Sequence, residues 1–109
     1  MPGPQDSQTA LIWIQEAVSA GRYYPAIHFY DRLYERKLEI EDVFRTIQDA
    51  HFCELYDRDP ERGGTCWRVI GPCLLEEKRL AVGVEAFLDK KKHRCVLCTV
   101  FDPDEGGCG

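Results

Sequence analysis

"RLAVGVEAFLDKKKHRCVLCTVF", residues 79–101, decides the fold. Leu80, Val82, Val84, Ala86 and Leu88 alternate with the residues between them. A period of two puts one side of a strand against a core. "DKKKH" is then a polar hairpin loop, and "RCVLCTVF" is the returning strand, ended by Asp102-Pro103. Upstream, "CWRVIG" forms a strand that Gly71-Pro72 ends, and "FCELY" (52–56) is a short one before it. The polar loop "DRDPERGGT", with Pro60 and Gly63-Gly64, separates the two. Strands joined by short loops form an antiparallel meander.

The first half has a helical period. Asp6 or Ser7 caps "TALIWIQEAVSA", in which Leu11, Ile14 and Val18 share a face, and Gly21 stops the helix. "RYYP" is a connector, and Pro25 suits the first turn of a second helix. Stepping 100° per residue along that helix puts Ile27, Phe29, Tyr30, Leu33 and Tyr34 on a core side. His28, Asp31, Arg32, Glu35 and Arg36 fall on the wet side. A third helix follows in "IEDVFRTIQDA", with Ile40, Val43, Phe44 and Ile47 as its stripe and Glu41 and Asp42 in its first turn. Helices first and strands after predict an α+β fold, with the N-terminal helices packed on one face of an antiparallel sheet of about four strands. Residues 1–6 read as a disordered lead-in, 7–103 as a single domain and 104–109 as a frayed tail.

The 109 residues suffice for one core, and 44% hydrophobic with 30% charged content is that of a globular domain. No apolar run approaches the roughly 18 residues of a membrane span. The N-terminus lacks the basic-then-apolar order of a secretory leader, so the cytoplasm is the expected location. The net charge of −5 opposes nucleic-acid binding through overall charge but leaves room for a local basic patch. "KKKHR", Lys90, Lys91, Lys92, His93 and Arg94, is the longest basic run; it reads as a solvated hairpin tip or as a phosphate contact. Tyr56 and Trp67 could stack bases, although in strands such residues commonly serve the core.

Six cysteines stand at 53, 66, 73, 95, 98 and 108. In a chain without a leader they read as reduced thiols. "CVLC" has the spacing of a zinc knuckle, but it lies in a strand, where Cys95 and Cys98 face opposite sides. Most of these cysteines are therefore expected in the core, with no metal site.

His28, Arg32 and Arg36 recur every four residues and form one row. Such a row can be a solvated helix face, in which His28 pairs with Asp31 and Arg32 with Glu35. It can also be a site. Cutting RNA without a metal needs a base for the 2′-hydroxyl and cations for the phosphate, which a histidine and two arginines supply.

Three ordered blocks carry a resemblance: "IHFYDRLYERKLEIEDVFRTI", then "CWRVIGP" followed by "RLAVGVEAF", then "VLCTVFDP". Together, over about residues 23 to 103, they resemble the uncharacterised bacterial family numbered 4258 among the domains of unknown function. That family is similar to the RelE and MqsR group of small toxins. The resemblance implies a RelE-like fold and a metal-independent ribonuclease without cofactor. It implies RNA and a zinc-finger antitoxin as partners, with no membrane or DNA partner. His28, Arg32 and Arg36 match the family's histidine-arginine helix and are the catalytic candidates, with 90–94 as RNA contacts. Members often carry a second histidine where this sequence has Ala81. The alternative function is a non-catalytic protein-interaction module of the same fold, or a degenerate toxin.

Overall fold

The computed structural model describes residues 3–73 and 78–103. Three helices and five strands follow in the order α1 (Ser7–Ser19), β1 (Tyr23–Pro25), α2 (Phe29–Glu35), α3 (Ile40–Asp49), β2 (Phe52–Leu55), β3 (Thr65–Cys73), β4 (Lys78–Asp89) and β5 (Lys92–Phe101). The strands form one sheet in the order β1-β5-β4-β3-β2. The fold is α+β with helices on the sheet, as the sequence pattern leads one to expect.

α1 begins where the Asp6 side chain accepts a hydrogen bond from the Thr9 amide at 2.9 Å and ends in a Schellman turn. Gly21 takes φ +75°, and the amides of Gly21 and Arg22 reach back to the carbonyls of Val18 and Ala17. Its apolar stripe, Ala10, Leu11, Ile14, Ala17 and Val18, is buried. α3 opens on a reciprocal capping box between Glu39 and Asp42. Gly3 to Asp6 are placed against the domain: Thr65 donates its hydroxyl to the Pro4 carbonyl at 2.9 Å. The expected frayed tail, 104–109, lies outside the described residues.

Three expectations need correction. Gly71-Pro72 does not end β3, which runs on to Cys73 with Gly71↔Leu80 and Pro72↔Arg79 paired to β4. Tyr23–Pro25 is not a connector but an edge strand, parallel to β5 through Tyr23↔Cys95, Tyr24↔Val96 and Pro25↔Leu97. Three residues are too few to show a period, and the parallel pairing joins segments far apart in sequence. The sheet therefore has five strands and is mixed rather than wholly antiparallel. α2 accordingly starts at Phe29, not after Pro25, with His28 as its cap residue. Only Phe29 and Leu33 of its apolar side enter the core. Ile27, Tyr30 and Tyr34 are 89%, 54% and 86% exposed, because a helix this short at the sheet's edge touches the core along one narrow line.

The main core lies between helices and sheet. Phe29, Leu33, Val43 and Ile47 meet Val69, Val82, Val84 and Leu97 there. The opposite sheet face is not open to water. Ala81, Ile70 and Phe101 pack under Tyr56, and Phe87, Val96 and Cys98 pack with Ala26. The 57–64 segment, free of helix and strand, crosses near this face. β4 and β5 slip register between Gly83 and Val84: Gly83 pairs with Thr99, Val84 with Leu97, and Cys98 is left over. This bulge turns two consecutive residues, Cys98 and Thr99, toward the second face.

Candidate functional site

The bulge borders a pocket of about 220 Å³. Four pieces of chain meet there. The β1–α2 junction brings Ala26, Ile27 and His28, and α2 itself brings Arg32. The segment after β2 brings Tyr56, Arg58 and Glu61, and β5 brings Cys98 and Thr99. Tyr56 is seated because Gly83 has no side chain: a Cβ there would collide with the tyrosine ring.

The pocket's polar groups are held from behind. His28 Nδ1 lies 3.2 Å from Asp31 Oδ2, which leaves the far ring nitrogen for another partner. Arg32 Nη1 lies 3.2 Å from both carboxylate oxygens of Glu35. Arg32, Arg58 and His28 thus stand around one hollow, with Glu61 as the acidic group among its lining residues. Three cation-capable side chains beside the hydroxyls of Tyr56 and Thr99 suit an anion with several oxygens.

Cys98 lines this pocket but is a poor nucleophile. Burial pushes its thiol up to about 11, so it stays protonated at neutral pH. Burial likewise pushes Cys53 up to about 11, and Cys66 and Cys95 to about 12. Cys95 sits in the helix-side core and Cys98 on the other face, so the two cannot grip one ion. Among the described residues no group of three or more His, Cys, Asp or Glu is placed to hold a metal.

Of the residues singled out in the sequence, His28 and Arg32 come together at the pocket. Arg36 caps the C-terminal end of α2 and does not line it. The basic run lies elsewhere. Lys90 and Lys91 form the turn between β4 and β5, with φ of 52° and 65°. His93 stacks on Trp13 of α1 with centroids 4.3 Å apart and lies 3.0 Å from Glu16. Arg94 donates to the Tyr24 hydroxyl at 2.8 Å. The hairpin therefore packs against α1 rather than over α2, about 16 Å along β5 from the bulge. Trp67 is a core residue whose indole N–H donates to Thr65 at 2.8 Å. Ala81, where the resemblance directs attention to a second histidine, is fully buried with Ile70 and Phe101. Arg58 and Glu61 escaped the sequence reading because both sit in a polar loop among other charges, with no spacing to mark them.

No protein-family model matches the chain, and no curated protein or solved structure does so either. No helix among the described residues is long and apolar enough to cross a membrane.

Proposed function

We propose that the protein is a RelE-like ribonuclease of the toxin kind that holds an RNA phosphate in this pocket and uses no metal. The observation that carries the reading is the meeting of His28 and Arg32 with Arg58 at one hollow. His28 takes the proton of a 2′-hydroxyl. The 2′-oxygen bonds to phosphorus, the bond from phosphorus to the 5′-oxygen breaks, and water returns a proton to the leaving oxygen. Arg32 and Arg58 face the charge that grows on the phosphoryl oxygens, where fixed cations lower the barrier most. The products are a 2′,3′-cyclic phosphate and a 5′-hydroxyl. The hairpin at 90–94 supplies a second, more distant contact to the RNA backbone. The buried free thiols fit a reducing cytoplasm.

The test is tightly induced expression in bacteria beside a His28→Ala/Arg32→Ala double variant of matched abundance, with RNA 3′ ends mapped. Arrest and cyclic-phosphate ends with the wild type alone support the ribonuclease. Equal growth and unchanged RNA rule it out. Loss of a general base costs about 10²- to 10⁴-fold in rate.

A second reading has its own observation. Tyr30 and Tyr34 of α2 are exposed, as is Ile27 just before it, an apolar patch that suits a protein partner. As an interaction module, the chain would bind that partner, a zinc-finger protein on the toxin reading, without cutting RNA. Tyr30→Asp with Tyr34→Asp, neither of them a pocket residue, separates the two: it abolishes partner capture and leaves RNA cleavage intact.

A further inference from the structure

We propose that Glu85 is a positioning residue of this pocket: its buried carboxylate ties down the 57–64 loop and so holds Arg58 opposite His28 and Arg32. The inference rests on the phosphate-pocket reading above. Glu85 sits in the middle of β4, between Cys66 of β3 and Val96 of β5, and is fully buried. A carboxylate withdrawn from water is costly unless donors replace the water it loses. Here three backbone amides of one loop replace it. Glu61 donates at 2.6 Å, Arg62 at 2.9 and 3.1 Å and Gly64 at 2.9 Å.

The loop has no other regular support. Between Tyr56 and Thr65 it makes neither helix nor strand. Its end is pressed so close to β4 that a Cβ on Gly64 would collide with the Ala86 carbonyl, and Gly63 takes φ +74°. Arg62 lays its guanidinium over the Tyr24 ring, 5.4 Å from the centroid. Arg58 and Glu61, the loop's two contributions to the pocket, lie three residues apart, and Glu61 is itself one of the amides that Glu85 holds. If the carboxylate goes, the loop loses its anchor and Arg58 loses its fixed place beside the anion.

The full-length chain, isotope-labelled for NMR, is titrated with inorganic phosphate while the side-chain signals of His28 and Arg58 are followed. Amide exchange is read at Glu61, Arg62 and Gly64. In the wild type, phosphate shifts both side chains and the three amides exchange slowly. In Glu85→Ala the amides exchange fast and phosphate binds about tenfold more weakly, with the core strands still protected. Formate, small enough to refill the space, restores both properties in the variant and merely competes with phosphate in the wild type. Glu85→Gln, equal in size but with an amide facing the donors, weakens both properties without refolding the sheet. A variant with freed loop amides and unchanged phosphate binding overturns the proposal, as does one whose amides stay protected. A wild type that phosphate does not shift overturns the pocket reading, and this proposal with it.

Discussion

Phe29 and His28 adjoin in the chain and turn to opposite sides of the junction between β1 and α2. Phe29 is fully buried against the helix-side core. Phe29→Ala should lower unfolding free energy by about 3–5 kcal/mol in urea titration, through lost burial and the cavity left behind. His28 is exposed, and its contact with Asp31 joins two side chains each 69% accessible. Such a pair contributes little, so His28→Ala should leave stability within about 0.5 kcal/mol and, on the ribonuclease reading, remove RNA cleavage. Loss of cleavage together with stability would mean that the ring is structural. The periodicity of α2 correctly sends Phe29 inward and His28 outward, because one is large and apolar and the other wet. It cannot show that Arg58, twenty-six residues beyond Arg32, faces the same hollow. Glu85 is not legible by period either. The alternation along β4 puts Glu85 opposite Val84 and Ala86, which reads as solvent. The hint to the contrary is that Ala81, Gly83 and Phe87 share its side, a poor set for a wet face.

At the level of elements, helix ends account for much of the shape. α2 ends in the same kind of turn as α1: Lys37 and Leu38 donate back to the carbonyls of Tyr34 and Leu33, and Leu38 packs beside Leu33. Yet the residue at the left-handed position, φ 58°, is Lys37 rather than glycine. Lys37→Gly should therefore raise stability by about 1 kcal/mol, read as a higher Tm. The hairpin turn bears the same cost at Lys90 and Lys91. Lys90→Asn with Lys91→Gly should stabilise by about 1 kcal/mol, and on the ribonuclease reading it should weaken RNA binding at low salt by removing two cations. The long elements α1, α3 and β4 announce themselves by period; β3 runs on past the Gly71-Pro72 read as its end, and the bulge breaks the alternation of β5. β1 shows no period at all. Its three residues are a strand only because the middle of β5 has a free edge to offer, and that edge exists only after folding.

For the whole molecule, four buried thiols set an alkaline limit. Cys53, Cys66, Cys95 and Cys98 are raised from 9.0 to about 11 or 12, first through burial. The folded state keeps these protons more tightly than the unfolded chain does. The stability they bring is whole below pH 9 and drains away as pH climbs through 9 toward 11 and 12. Unfolding midpoints taken from pH 7 to 11 should fall more steeply in the wild type than in Cys95→Ala, after allowance for the cavity. The class of the fold is readable from helices first and strands after, because each segment's period reports which side is covered. The mixed sheet and the covered second face are not, since both arise from chain crossing back on itself. Pro25 closes one end of that sheet. Ala26 donates to, and Arg22 accepts from, the β5 backbone, so Pro25 stands at a position turned outward, with a ring where a neighbour would need an N–H. β2, at the other end, has its outer edge uncovered by any strand among the described residues. Two crowded copies can join there edge to edge, and each new end is then a proline. Growth by strand addition is thus terminated at the pair, and concentrated protein that associates in this way should give dimers by light scattering, never filaments.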